Sequence, residues 1–279
     1  MGQIEIEVNV SSKIKVGIAG ITGRMAKANA AAVRARPDLA LTAVYRRSEA
    51  PQEALGSGDL DRDILMSLDR ALGCCDVILD FTTPEATSEL VQRVRAHGGP
   101  ALVIGSTGLS DDQEAEVVEA SLRVPIVRSG NFSLGVNMLA GLVELTARRL
   151  RAEDWDIEIL EAHHRHKVDA PSGTALMLGE ASALGRGAAL SDLADYGRAN
   201  STGPRKPGSI GFSVVRGGGI IGEHSVMFAA DDEVITLSHT ALDRSLFARG
   251  AVEAAIWAVR FRQPGLYSMM DVLGFRSAG

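Results

Sequence analysis

The densest group of chemically active side chains in the sequence lies between Glu161 and Thr174. Residues 163–167 alone hold three of the six histidines, together with one arginine and one lysine. Arginine and lysine hold carboxylates, and histidine and lysine can supply protons near neutral pH. The Ser172-Gly173-Thr174 segment is predicted to open a helix, whose first N–H groups form an anion site. The cluster is therefore predicted to bind an anionic substrate and to provide acid catalysis.

Three other interpretations of this cluster fit less well. Zinc would require ligand spacing such as HEXXH, which is absent, and the neighbouring positive charges disfavour a cation, so no metal is expected. Nucleic-acid binding would favour more basic surface and more stacking aromatics than the 4% present. A solvated loop without a function is the third alternative.

The composition predicts an ordinary globular protein rather than a membrane or nucleic-acid protein. The chain has 279 residues, 46% of them apolar and 23% charged, with a net charge of -6. An acidic chain has no overall attraction to nucleic acid or to an anionic membrane, so neither is expected as a partner. The only two cysteines are the neighbours Cys74 and Cys75, which favours buried thiols in a reducing compartment over a disulfide. No signal peptide or long apolar run is visible, and the expected location is the cytoplasm.

A glycine-rich turn near the N-terminus is a second candidate site. Gly17, Gly20 and Gly23 lie where a first strand passes into an alanine-rich helix that Pro37 ends. Glycine lets backbone N–H groups approach a pyrophosphate closely, and the helix N-terminus adds positive potential. The spacing differs from the usual G-x-G-x-x-G, and a tight turn without a ligand is the alternative.

The end of the second strand bears on the choice of cofactor. NAD-binding domains of this kind usually carry an acidic residue there, which binds the ribose 2′-OH. This chain reads Tyr45-Arg46-Arg47, with no acid. Two arginines suggest that a 2′-phosphate is accepted, so NADPH is predicted, with NADH also open. The alternative is that both arginines are solvated surface charge.

The order of the predicted elements indicates an α/β protein with two parts. Strands and helices alternate through the first 130 residues, which is typical of a parallel, doubly wound, Rossmann-type sheet. After Asn131 the pattern becomes α+β, and residues 190–219 are predicted to form long loops. A strong helix pattern at 244–261 is expected to return to the first part. We therefore predict a dinucleotide-binding domain from residues 1–130 and 240–279, and an inserted domain for substrate binding and oligomerisation from residues 131–239.

The segment from Glu161 to Ala175 resembles the signature of dihydrodipicolinate reductases, E-(A/V)-H-H-x-x-K-x-D-x-P-S-G-T-A, and matches every fixed position. Other stretches resemble the family in the same order: Gly20–Met25, Asp80–Thr82 with Pro84, Gly105–Gly108, Asn131–Asn137, Gly222–His224 and Gly265–Gly274. The chain departs at Ala26, where the family commonly has glycine, and at Tyr45, where NAD-using relatives carry an acid.

The resemblance implies a reaction and roles for matching residues. The reaction is the NAD(P)H-dependent reduction of 4-hydroxy-tetrahydrodipicolinate in lysine and diaminopimelate biosynthesis: water is lost and hydride reaches the ring C4. His163 would be the proton donor and acceptor, Lys167 a second acid, and His164, Gly173 and Thr174 substrate contacts. The implied cofactor contacts are Gly20, Ile21, Thr22, Gly23, Arg24, Met25, Arg46, Gly105, Ser106, Thr107, Ser129, Gly130, Asn131 and Phe132. The family also implies a homotetramer.

Two alternatives stand beside this assignment. One is another Rossmann reductase of a small carboxylate; a semialdehyde dehydrogenase would need a nucleophilic cysteine at a helix start, which Cys74 and Cys75 do not provide. The other is a non-catalytic protein that keeps the cofactor domain. The residues alone leave open whether His224 and Arg216 line the site and whether Phe81 packs on the cofactor.

Overall fold

The structure is a computed structural model that describes residues 12–20, 23–45, 64–198, 202–261 and 263–276. Within these residues the chain forms two compact units. The first runs to Gly130 and includes Ala251–Tyr267; the second comprises Asn131–Gly250 and the residues from Ser268 onward. The described residues 240–250 and 268–276 therefore lie with the second unit, although the sequence suggested grouping them with the first.

The first unit is a parallel sheet with helices between its strands. Its described elements are β1 (Ile14–Ala19), α1 (Arg24–Arg34), β2 (Leu39–Tyr45), β3 (Leu65–Met66), α2 (Leu68–Cys74), β4 (Val77–Asp80), α3 (Pro84–His97), β5 (Ala101–Ile104), α4 (Asp111–Ser121) and β6 (Pro125–Arg128). The described sheet has seven strands in the order β12-β6-β5-β4-β1-β2-β3, where β12 is Gly265–Tyr267. Every residue of β4 and β5 is buried, as expected for parallel strands covered on both faces. The predicted Rossmann-type fold is confirmed.

The second unit combines a mixed sheet with two packed helices. Its described elements are α5 (Leu134–Arg149), β7 (Asp156–His163), α6 (Gly173–Gly185), α7 (Leu190–Leu193), β8 (Ala194–Asp195), β9 (Ile210–Arg216), β10 (Glu223–Ala229), β11 (Val234–Thr240) and α9 (Met269–Val272); α8 (Leu246–Phe261) begins in this unit and ends in the first. The sheet order is β11-β10-β7-β9-β8, with β7 parallel to β9 and antiparallel to β10. Ile157, Ile159, Phe212 and Phe228 point inward and pack with α5 and α6 in one core.

The prediction of long loops over residues 190–219 was wrong in part. β9 lies there and pairs along the whole length of β7, from Ile157↔Ile210 to His163↔Arg216. Its inward residues Ile210 and Phe212 are buried, but a glycine between them hides the alternating pattern. At that glycine, Gly211, the Glu158 carboxylate occupies the space that a Cβ would take.

Among the helices that the structure describes, none has the length and apolar character needed to span a lipid bilayer.

Candidate active site

The carboxyl end of β7 carries two neighbouring functional side chains. Alternate residues of a strand share a face, so Glu161 and His163 both point inward. Both are buried, with 2% and 8% of their surface exposed. The Glu161 carboxylate lies 2.5 Å from His163 Nδ1. The buried face of β7 therefore ends in a carboxylate–imidazole pair.

Arg216, at the end of β9, forms a two-pronged ion pair with the Glu161 carboxylate. Its two terminal nitrogens donate to the two carboxylate oxygens at 2.7 and 2.8 Å. The backbone N–H of Ser172 donates to the same carboxylate at 3.0 Å. Burial alone would raise the pKa of Glu161, but the hydrogen bonds from Arg216, His163 and Ser172 outweigh burial and hold the pKa below its ordinary value. Glu161 is therefore an anion under ordinary conditions.

His224 contributes a neutral imidazole from β10. Register pairs it with Glu161, and its ring meets the His163 ring edge-on with centroids 5.0 Å apart. Its Nε2 lies 3.1 Å from the Ser172 hydroxyl. Burial, followed by repulsion from a charged His163, lowers the pKa of His224 to about 4. The sequence left its role open; the structure places it inside the site.

The loop after β7 holds the remaining basic residues. Lys167 Nζ pairs with the Asp169 carboxylate at 2.7 Å. The Lys167 hydrogen bond is the main cause that lowers the pKa of Asp169, and the Gly173 N–H also donates to that carboxylate. Desolvation, followed by repulsion from Arg244, lowers the pKa of His164. One acidic side chain thus holds both a lysine and the first N–H of α6.

The loop after β7 leads into the N-terminus of α6. Ser172 is the N-cap and accepts from the Ala175 N–H at 3.2 Å. No acidic residue occupies the first turn of α6. Thr174 Oγ1 accepts from Asn131 Nδ2 at 3.2 Å, and the space around Gly173 is open. This helix start can receive an anion.

These side chains meet at a cavity of about 250 Å³ that lies within the second unit. Its described lining contains no aspartate or glutamate and comprises Asn131, Val136, His163, His164, Lys167, Thr174, Ile221, Gly222, His224, His239, Ala241, Arg244, Leu246 and Phe247. The structure therefore brings together four predicted residues of the catalytic and substrate sets, His163, His164, Lys167 and Thr174, with Gly173 next to them.

Sequence reasoning missed two contributors to this cavity. Arg244 adds a second strong cation, but it lies 77 positions beyond Lys167 in the sequence and carries no motif of its own. Gly222 leaves the space beside His163 Nε2 free, since a Cβ there would lie 3.2 Å from that atom. The only signal was that Gly222-Glu223-His224 belongs to a stretch that resembles the family.

Glu161, His163 and His224 also have the donor atoms of a metal site. One ligand atom from each lies within 4.8 Å of the others. Both oxygens of the carboxylate already accept hydrogen bonds from the Arg216 cation, which disfavours a metal ion. The expectation of no metal stays a prediction.

In the first unit, the described residues of the glycine loop have the features of a phosphate-binding turn. Gly20 has φ +83, a conformation that favours glycine, and a Cβ there would lie 3.1 Å from Thr82. Gly23 is the N-cap of α1, which has neither a side-chain cap nor an acid in its first turn. Arg24 and Met25 form the first turn itself. These features fit a dinucleotide phosphate, while the predicted contacts Ile21, Thr22 and Arg46 lie outside the described residues.

In the sheet order β4 lies beside β1, and β5 is the next strand, so the turns after both strands lie on the same side of the glycine loop. The Phe81 ring occupies the space that a side chain at residue 105 would need, which explains Gly105. Ser106 is buried and hydrogen-bonded to Thr87 at 2.6 Å, and Thr87 donates to the buried Asp80 at 2.7 Å. Ser106 therefore holds the turn in shape.

The other predicted cofactor residues differ in exposure. Thr107 and Gly130 are exposed and Ser129 is half-buried. Asn131 and Phe132 belong to the second unit, where Asn131 lines the cavity and Phe132 is 2% exposed. The Phe132 ring is therefore buried and cannot itself contact a ligand.

The two cysteines carry no nucleophile of the kind an aldehyde dehydrogenase needs. Both are free and half-buried in the first unit, packed against its core. Burial raises the pKa of the Cys75 thiol to about 12.

A parallel doubly wound sheet with a glycine-rich turn after its first strand, and a separate unit with a basic cavity, together define a Rossmann-type oxidoreductase. Comparison with known proteins gives the family. Models of the N-terminus and the C-terminus of dihydrodipicolinate reductase match residues 14–132 and 135–273. The chain therefore belongs to the dihydrodipicolinate reductase family, and it is a nicotinamide-dependent oxidoreductase.

Individual relatives agree with this family. The 4-hydroxy-tetrahydrodipicolinate reductase of Caulobacter vibrioides is 56% identical over 267 residues, covering 96% of this chain and 100% of that relative. The one from Sinorhizobium fredii is 48% identical, covering 94% and 97%. A solved structure of dipicolinate-bound dihydrodipicolinate reductase from Paenisporosarcina sp. TG-14 superposes with a TM-score of 0.76 at 22% identity, covering 93% of this chain and 98% of that one. At that identity the likeness establishes the fold.

Proposed function

We propose that the protein reduces 4-hydroxy-tetrahydrodipicolinate to tetrahydrodipicolinate, with a nicotinamide cofactor, in lysine and diaminopimelate biosynthesis in the cytoplasm. The observation that carries the proposal is the cavity beside His163, which is lined by Lys167 and Arg244 and by no described acid. The relatives bear the name of this reaction, and the ligand in the solved neighbour is a planar ring with two carboxylates. A cavity with separate cations suits such a dianion.

One carboxylate of the substrate is assigned to the start of α6. Gly173 and Thr174 offer the first turn, and Lys167 lies beside them. In the structure the Asp169 carboxylate pairs with Lys167 and Gly173, and these are the contacts proposed for a substrate carboxylate. The substrate is therefore expected to displace Asp169 from Lys167. The second carboxylate is assigned to Arg244 and His164.

Proton transfer is assigned to His163 and Lys167. The bound nicotinamide supplies the hydride that reaches C4 of the ring. Hydride addition to a conjugated imine places negative charge on the substrate, and a positioned acid stabilises that charge. His163 Nδ1 faces Glu161, so its Nε2 is the atom that faces Gly222 and the cavity. Lys167 serves as the second acid for the departing water.

NADPH is proposed as the preferred cofactor, with NADH also accepted. Support comes from the sequence Tyr45-Arg46-Arg47, which offers two cations and no carboxylate after β2. A carboxylate there would accept hydrogen bonds from the 2′-OH and repel a 2′-phosphate. Gly20–Met25, Gly105–Thr107 and Ser129–Phe132 are proposed as the remaining cofactor contacts.

The outer face of the second sheet is proposed as the surface of a homotetramer. Its residues point away from the core and are mostly small or apolar, among them Leu160, Ala162, Val215 and Met227. Leu160 and Val215 are 42% and 54% exposed. Apolar sheet faces of this kind mark protein–protein contacts.

The assignment is tested by following loss of reduced-cofactor absorbance with the fresh product of dihydrodipicolinate synthase. We expect turnover only when that product is present. His163→Ala and Lys167→Ala should each lower kcat by about 10²-fold or more, the usual contribution of acid catalysis. The control is Lys206→Ala, which removes an exposed lysine outside the cavity and should leave kcat unchanged.

Two outcomes would contradict the proposal. Folded wild-type protein without turnover on either cofactor would exclude the reaction. Near wild-type kcat in both cavity variants would show that His163 and Lys167 do not carry the chemistry.

A further inference from the structure

The Glu161 carboxylate is deeply buried beside the cavity, yet it is not among the residues that line it. We infer that Glu161 and Arg216 are positioning residues that hold the His163 imidazole with its proton on Nδ1 and its Nε2 toward the substrate. The inference rests on the proposed function and names residues that the reaction scheme above does not use.

The hydrogen bonds of Glu161 leave it no freedom to act on the substrate. One carboxylate oxygen accepts from His163 Nδ1 and from Arg216, at 2.5 and 2.8 Å. The other accepts from Arg216 and from the Ser172 N–H, at 2.7 and 3.0 Å. An ionised carboxylate has about four acceptor positions, and all are used here. Glu161 therefore acts through His163.

The same contacts determine the tautomer of His163. An ionised carboxylate only accepts, so the hydrogen of the pair lies on Nδ1. In a neutral imidazole the other nitrogen, Nε2, is then the acceptor, and in the imidazolium it is the donor. The absence of a side chain at Gly222 leaves space at Nε2. A ring fixed in this way presents one defined proton-transfer atom to the cavity.

Arg216 couples this orientation to the loop that carries Lys167. Besides Glu161, it donates to the Asp169 carbonyl at 2.7 Å. The next residue, Gly217, donates its N–H to the His163 carbonyl at 2.9 Å. The end of β9 therefore fixes both His163 and the loop that follows it. Arg216 also keeps Glu161 ionised, and it does so by binding the carboxylate rather than the imidazole.

The Glu161 carboxylate also places a negative charge against the His163 ring. The titratable and charged groups that face His163 are Glu161 on its own strand, Arg216 on β9, His224 on β10, and His164 and Lys167 in the loop. Among these described neighbours, Glu161 is the only anion. Its removal withdraws the counter-charge that the protonated ring needs.

The test is Glu161→Gln, a change of charge with little change in shape. We expect kcat to fall about 10- to 100-fold, a range typical of residues that orient a working histidine. The KM values should change less, because Glu161 does not touch the cavity. The alkaline limb of the kcat–pH profile should move to lower pH by about one unit, since an opposite charge has been lost. The ¹⁵N spectrum of His163 should change from a single Nδ1–H tautomer to a mixture.

Glu119→Gln is the matched control. Glu119 belongs to α4 of the first unit, lines neither the cavity nor the outer face of the second sheet, and is paired with Arg95 at 2.5 Å. We expect its pH profile and its ¹⁵N spectrum to match wild type. If Glu161→Gln does not fold, Arg216→Lys keeps the positive charge but loses the two-pronged contact, and it should lower kcat with a smaller shift of the pH limb.

A folded Glu161→Gln variant with the wild-type pH limb and a single Nδ1–H tautomer would overturn the inference. If the wild-type protein showed no turnover, the proposed function would be excluded. The ¹⁵N measurement of the His163 tautomer would then be the only test of the inference.

Discussion

At the scale of residues, selection of the cofactor depends on the side chains at the end of β2 and directly after it. Tyr45, the last residue of that strand, is 6% exposed and its hydroxyl has no hydrogen-bond partner among the described residues. Burial raises the pKa of this phenol, so it stays neutral. A buried, neutral side chain cannot substitute for the ribose-binding acid of NAD enzymes. The next residue in the sequence, Arg46, is of a type that binds phosphate.

Arg46→Ala should therefore raise the KM for NADPH and leave that for NADH nearly unchanged. A charge-assisted hydrogen bond is worth about 1.5–3 kcal/mol, and salt screening reduces this at an open site, so the expected effect is roughly tenfold. Arg70→Ala, which removes an exposed arginine from α2, is the control. Equal weakening of both cofactors, or a wild type that clearly prefers NADH, would show that Arg46 does not bind the 2′-phosphate.

The sequence could reveal the residues of the site that lie close together in a motif, and little else. His163, His164, Lys167 and Thr174 are recognisable because one strand end, one loop and one helix start hold them in fixed order. Arg244 reaches the same cavity from a distant segment, and the role of Arg216 depends on the register between β7 and β9. Pairing between distant strands leaves no local pattern, so Arg244 became visible only in three dimensions, and the position of Arg216, which the sequence left open, was decided there.

At the scale of elements, the packing of α5 against α6 depends on a glycine. Gly185 ends α6, and a Cβ there would lie 2.5 Å from the Glu144 carbonyl oxygen and 2.7 Å from Ala147 Cβ. Both contacts are with the body of α5, which cannot rotate aside as a flexible side chain can. The close approach of the two helices therefore excludes any larger residue.

Gly185→Ala is expected to lower the free energy of unfolding by about 1–3 kcal/mol, the usual cost of overpacking. The matched control is Gly73→Ala in α2, where a Cβ would meet nothing within 4 Å. That change should be neutral or stabilising by up to about 1 kcal/mol, because it restricts the unfolded chain. Denaturant titration measures both variants, and equal stabilities would refute the role given to Gly185.

At the scale of the whole molecule, the outer face of the second sheet is the proposed surface of assembly. Leu160→Lys places a charge on that face, while Ile157 and Ile159, which form the inner face of the same strand, are unchanged. We expect the assembly to dissociate, and sedimentation or light scattering should record the smaller mass. Leu122→Lys, at a 75% exposed position after α4, should keep the wild-type mass. A Leu160→Lys variant of wild-type mass, or a monomeric wild type, would exclude this interface.

The position of β12 has a consequence for synthesis of the chain. Strands β1 to β6 of the parallel sheet are all made by Arg128, but β12, which pairs with β6, begins only at Gly265. The ribosome adds about 5–20 residues per second, so roughly 7 to 27 seconds separate the two partners. During that interval the outer edge of β6 has no native partner, while the second unit is being translated. Unpaired strand edges are sites of misassembly. Among the described strands, the last to leave the ribosome is thus the one that covers the edge of β6.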